Sequence, residues 1–307
     1  GIVYMVGNHT MTIEAGTVIK GSFSGSDVAA LVITRGSKII APGTATDPII
    51  FTSLSPNPQS GDWGGIVLCG KAGYNLSYNG TAGLYQVEGG IDNANGDGLA
   101  GSGDAVAPTP VANDNSGVLQ YVRIEYAGYA FQPDKEINSL TMAAVGSGTI
   151  IDHIQVTYAK DDAFEWFGGS VNCSYLIAYK TQDDDFDTDN GYNGKVQFGL
   201  VLRDSLIADI STSEAFESDG NATGTTAAPK TTAIFSNITA IGPRATLNNL
   251  GSTLFRGATH IRRNSGISIF NSIIMGWPRG IEIDATTGTS TALNIEDSTL
   301  RLRNITL

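Results

Sequence analysis

Three copies of one acidic phrase stand between positions 161 and 220: Asp162-Ala163-Phe164-Glu165, Asp184-Asp185-Phe186-Asp187 and Glu214-Ala215-Phe216-Glu217. Each reads acid, small or acidic residue, Phe, acid. The chemistry open to them is that of crowded carboxylates. Two like charges about 5 Å apart repel by roughly 3 kcal/mol at an effective dielectric near 20. Such a group either keeps protons or takes up a cation. Asp185-x-Asp187-x-Asp189-x-Gly191 adds the spacing of a calcium loop. Its glycine comes one position late, however, and Val196 stands where an EF-hand closes with Glu. Paired carboxylates also serve glycoside hydrolysis, one as acid and the other as nucleophile or base.

The elements that must position these residues follow from the period. The three phenylalanines recur after 22 and then 30 residues, which is the mark of a solenoid with one phrase per coil. Read as strands, the phrases send Phe164, Phe186 and Phe216 inward and their neighbours outward. Coils about 4.8 Å apart then stack three outward columns: Ala163, Asp185, Ala215; Glu165, Asp187, Glu217; and Phe167, Asp189, Asp219. Glu165, Asp185, Asp187, Asp189, Glu217 and Asp219 form the expected metal-binding set, with Ca²⁺ the expected ion. Aligning Leu254-Phe255-Arg256 with Ala215-Phe216-Glu217 extends the middle column to Arg256 and then Glu282, with neutral Thr141 beneath it. Glu165, Asp187, Asp189, Glu217 and Arg256 are the catalytic candidates if the patch is an active site, Arg256 serving as the base of a calcium-assisted lyase. Of the nearby aromatics, Phe167 has outward parity and could stack a sugar ring, whereas Trp166 fills core.

The rest of the chain repeats the same pattern. Leu119-Gln120-Tyr121-Val122-Arg123-Ile124-Glu125-Tyr126 matches Ile151-Asp152-His153-Ile154-Gln155-Val156-Thr157-Tyr158, and related versions follow up to Leu300. No helical periodicity lasts long enough for a helix of normal length. Successive strands on one face must run parallel, because each coil advances the same way. The expected fold is all-β: a right-handed parallel β-helix of about ten coils, one domain over 1–307. Residues 71–117, rich in Gly, Asn and Asp, read as an inserted surface loop too polar to form core.

Composition narrows function. The 18 Lys and Arg against 30 Asp and Glu leave a net charge of −12, which argues against nucleic acid and anionic membranes as partners. No apolar run is long enough for a transmembrane span. Cys69 and Cys173 show no metal spacing and read as buried thiols. The chain opens directly on a strand-like segment, as a mature or trimmed form would, without a visible signal peptide.

The segments Asp114–Gly128, Phe164–Gly169 and Gln182–Gly191 together resemble a group of secreted or surface-anchored β-helix proteins of Bacteroidota-type bacteria, over most of the chain from about Gly16. More distantly, the coils resemble the pectin-lyase-like superfamily. Asp187-Thr188-Asp189 is similar to the Asn-Thr-Asp of polygalacturonases, while the Gly-His-Gly and Arg-Ile-Lys elements of those enzymes are missing. The resemblance implies the fold and an extracellular or outer-surface location. The resulting expectation is non-catalytic binding of a glycan or cell-envelope component, with Ca²⁺ on the acidic patch. Its rivals are a polysaccharide lyase or glycosidase at that patch, and a stalk or filament subunit whose open ends associate end to end.

Overall fold

The computed structural model describes residues 1–307 except 24–27, 133–134, 245, 247 and 249–250, and gives the backbone alone at 132, 135 and 136. Two parallel sheets wind around one core. Among the described residues the first has nine strands in chain order, from Ile2–Met5 through Ile66–Cys69, Leu140–Ala143, Phe164–Phe167, Phe186–Asp189, Phe216–Asp219 and Thr259–Arg262 to Ile281–Ile283. The second has eleven, from Thr10–Thr12 to Leu302–Thr306. The molecule is therefore a parallel β-helix. Its one helix among the described residues is the single turn Leu293–Glu296.

The strands of the second sheet are long because they bend without breaking. Tyr121, His153, Tyr175, Phe198, Asn237, Asn271 and Asn304 hold φ between 48° and 65° at the same point of successive strands, and the pairing skips that position. Asn tolerates this left-handed conformation, whereas aromatics seldom adopt it. Rung-to-rung stacking compensates. Tyr121 and His153 lie 4.2 Å apart, His153 and Tyr175 4.2 Å, and Tyr175 and Phe198 4.8 Å. Higher up, Asn304 Nδ2 donates to Asn271 Oδ1 at 2.9 Å. His153 is thus structural, its ring held between two tyrosines and its Nδ1 against Asp152.

The core of the first sheet is the expected phenylalanine column. Phe164, Phe186 and Phe216 pair in register and are fully buried. Their rings lie 5.8 and 5.5 Å apart, and each buried side chain stabilises by up to about 3 kcal/mol. Trp166 fills core as expected and stacks on Tyr192 at 5.2 Å. Both cysteines are buried and free.

The segment from residue 70 to 116 leaves the sheets and forms two short antiparallel hairpins, Ser77–Tyr78 with Thr81–Ala82 and Leu84–Gln86 with Leu99–Gly101. It is less solvated than its composition suggests. Tyr85, Val87, Ile91 and Ala100 pack on the outward face of the first sheet, against Val32, Val67, Ala143 and Phe167. The scattered apolar residues supply this second, smaller core, and the Arg35–Asp104 ion pair at 2.7 Å ties the segment down.

Candidate functional site

The outward face beyond that inserted segment carries the acids. Pairing places Glu165 beside Asp187 and Asp187 beside Glu217, with Thr141 beneath Glu165. The middle column therefore stands as read from the sequence. It continues through His260 to Glu282, not through Arg256. Phe216 pairs with Thr259, because the chain after Asp219 makes a longer excursion before re-entering the sheet. Phe255 is a false match to the repeat: it makes an isolated bridge to Ser213 and does not join the strands of the sheet. Arg256 sits at the rim, where its Nε and second terminal nitrogen donate to Glu282 at 3.1 and 2.6 Å. That pair depresses the Glu282 carboxyl to about 2 and leaves Arg256 unsuited to act as a base.

Asp185 also departs from expectation. The strand begins only at Phe186, so alternation does not extend to the corner before it. Asp185 faces Arg203, Oδ2 to Nε at 3.0 Å, with both side chains wholly buried. The angle is poor for a hydrogen bond, so the contact is one of charge. Burial outweighs the guanidinium and pushes Asp185 up to about 7. Asp185, Asp187 and Asp189 therefore do not converge as a calcium loop.

Two other members of the expected metal set, Asp219 and Asp189, have their carboxylate oxygens engaged within the protein. Asp219 receives Arg262 Nε at 2.8 Å and Arg263 at 2.6 Å. The backbone and side-chain amides of Asn190 hold Asp189 at 2.6 and 2.8 Å. Arg262 also bonds Glu217, and Asn138 bonds Glu165. Phe167 does point outward, but Tyr85 covers it at 4.9 Å, leaving it 3% exposed and closed to a sugar ring.

What the columns omit is the first acid of each phrase. Asn138, Asp162, Asp184 and Glu214 stand at one corner of successive coils, and the side chains of the first three each accept from the backbone of the next coil. Asp162 N donates to Asn138 at 3.2 Å, Asp184 N to Asp162 at 2.8 Å, and Glu214 N to Asp184 at 2.5 Å. The recurrence of that first acid was the available signal. This ladder brings the corner acids up against the strand acids. Carboxylate oxygens of Asp162, Glu165 and Asp187 lie within 4.8 Å of one another, and those of Asp184, Glu214 and Glu217 form a second such group.

The electrostatics are those of crowded, buried carboxylates: Arg262 reaches Glu217 and Asp219, while Arg256 and His260 stand 3.9 Å from Glu214. Burial first, and neighbouring acids second, push Asp162, Glu165, Asp184, Asp187 and Asp189 well above the usual carboxylate range. The same causes raise Glu214 to about 7, and burial raises Asp183 to about 8. Asp187 Oδ1 and Glu214 Oε2 are buried without a hydrogen-bond partner among the described residues. His260, 2% exposed, is held below the usual imidazole range by burial and by Arg262 and Arg256.

The stack of parallel coils thus carries an acidic, partly buried patch on the outward face of one sheet. The profile of the pectate-lyase-like β-helix domain matches residues 1–307, and the chain belongs to that family. No curated protein and no solved structure matches the chain. Among the described residues no helix is long and apolar enough to cross a membrane.

Proposed function

We propose that this is an extracellular, non-catalytic β-helix that holds Ca²⁺ in the acidic cleft and through it binds a polysaccharide or another cell-envelope component. The observation that carries this reading is the pair of buried, unpartnered carboxylate oxygens, Asp187 Oδ1 and Glu214 Oε2, on residues that belong one to each oxygen cluster. Oxygens sharing one Ca²⁺ at about 2.3–2.6 Å stand no more than about 5 Å apart. The clusters, whose oxygens lie within 4.8 Å of one another, meet that limit. Asp162, Glu165 and Asp187 would hold one ion; Asp184, Glu214 and Glu217 would hold a second. The donors are all hard oxygens, which suits calcium. The exterior location rests on the family and on the surface proteins that the sequence resembles.

The test is a melting curve at pH 8 with Ca²⁺ or with chelator. An ion at a hundred times its Kd stabilises by about 2.7 kcal/mol, so the expected rise is about 5 °C or more. No shift would remove the ion from the reading.

A catalytic reading draws on one observation. Glu165 and Asp187 are adjacent carboxyls, both pushed upward by burial and by neighbouring acids, and a pair of neighbouring carboxyls is what a glycosidase uses. New reducing ends released from a polysaccharide, and abolished in Asp187→Asn, would favour it. Unsaturated products would favour a lyase, whose base would then have to be a residue other than Arg256.

A further inference from the structure

Beside the cleft lies a pocket of opposite character. It has a volume of about 650 Å³ and is lined by Arg244, Arg256 and Arg279 with Thr212, Ser252, Thr253, Phe255 and Pro278. Three guanidiniums around one pocket are not the general surface of a chain with net charge −12. Their compensation is incomplete. Glu282 engages Arg256 through both oxygens and also takes Arg279 at 3.1 Å. Arg244 has no carboxylate partner among the described residues, and its Nε is buried without any hydrogen bond. An unpaired buried donor of this kind is costly unless an acceptor arrives from outside.

The wall between pocket and cleft carries strain. Thr212 holds φ at 90°, a conformation that a β-branched residue adopts only when its surroundings impose it. Its hydroxyl donates to Glu214 at 3.3 Å, so one residue borders both the cationic pocket and the acidic cleft.

We propose that this pocket is an oxyanion site that takes a sulfate or phosphate ester group. The lining offers donors on several sides: the guanidinium of Arg244, the remaining N–H groups of Arg256, the 65% exposed Arg279, and the hydroxyls of Ser252 and Thr253. A planar carboxylate is satisfied by a single guanidinium fork, whereas a tetrahedral ester group presents three free oxygens to donors arranged around it. On the reading that the cleft binds a glycan, the ester is carried by that glycan. The pocket itself does not depend on the ion in the cleft.

Calorimetric titration with sodium sulfate and with sodium phosphate, in chelator and at constant ionic strength balanced with chloride, tests the pocket alone. Saturable binding is expected, weakened at least tenfold in Arg244→Gln and severalfold in Arg279→Gln, whose exposure makes misfolding no explanation for the loss. Absence of saturable binding up to tens of millimolar, or unchanged binding in both variants, overturns the proposal. In a second arm dextran sulfate, phosphorylated dextran, polygalacturonate and neutral dextran are compared at equal charge or mass. Preference for one of the ester-bearing polymers, lost in Arg244→Gln, supports the site and names the ester. Preference for polygalacturonate overturns the ester assignment. Binding of inorganic sulfate without binding of any polymer overturns the glycan reading and leaves the anion site standing.

Discussion

Arg203→Met is expected to cost about 3–5 kcal/mol of stability, the usual penalty for removing one partner of a buried ion pair. Arg203 and Asp185 have no exposed side-chain surface. The guanidinium also donates to the carbonyls of Thr181, Asp183 and Glu214, which joins the corners of neighbouring coils. It lies 5.4 Å from the centre of the Phe255 ring and 5.8 Å from that of Trp277. Met fills similar volume but satisfies none of those carbonyls. Denaturant unfolding monitored by tryptophan fluorescence checks the size of the loss. Because burial pushes Asp185 up to about 7, the penalty in Arg203→Met should be smaller at pH 5 than at pH 8. Arg203→Met combined with Asp185→Asn should recover part of it. A loss below about 1 kcal/mol at pH 8, the range of an exposed ion pair, would mean that the pair does not hold the coils together.

The second large effect is a stability that falls as pH rises. In chelator, the melting temperature should be highest near pH 5 and decline towards pH 8. The sign follows from the raised carboxyls. Glu214 moves up to about 7 and Asp183 to about 8, and Asp162, Glu165, Asp184 and Asp187 are pushed in the same direction. Above about pH 4, where free carboxyls titrate, the folded chain therefore binds more protons than the unfolded one. The stability these protons contribute is complete below the unfolded values near 4 and is lost as pH passes through about 7 to 8. A tenfold difference in proton affinity between the folded and unfolded chain is worth about 1.4 kcal/mol, so several coupled groups make the decline several kcal/mol deep. Ca²⁺ should flatten it, because the ion takes over the role of the protons. Glu214→Gln should flatten it in part without any ion. A profile level from pH 5 to 8 in chelator would show that the cleft is hydrated and its acids are ordinary.

The two effects separate the cleft from its support. Arg203 secures the corners from inside, against Asp185 and the carbonyls of Thr181, Asp183 and Glu214. The cleft acids act on the outer face, where an ion or protons settle the charge. Loss of the pH trend with the Arg203 penalty intact would therefore retire the ion without disturbing the fold.

Much of this was legible in the chain. The recurring phrase specified coils, and side-chain alternation placed the phenylalanines inside and Glu165, Asp187 and Glu217 in one outward column, because both rules are local and hold wherever a strand persists. Three things were decided only in the folded molecule. Asp185 turned to Arg203 because alternation stops at a corner. His260 took the place assigned to Arg256 because an excursion of variable length shifts the register without leaving a periodic trace. Phe167 lost its access to solvent because a segment inserted some eighty residues earlier folds over it. Regular strands transmit their geometry from residue to residue, whereas corners, excursions and insertions are settled by contacts between distant parts of the chain, and that is where the site acquires its depth and its unpaired oxygens.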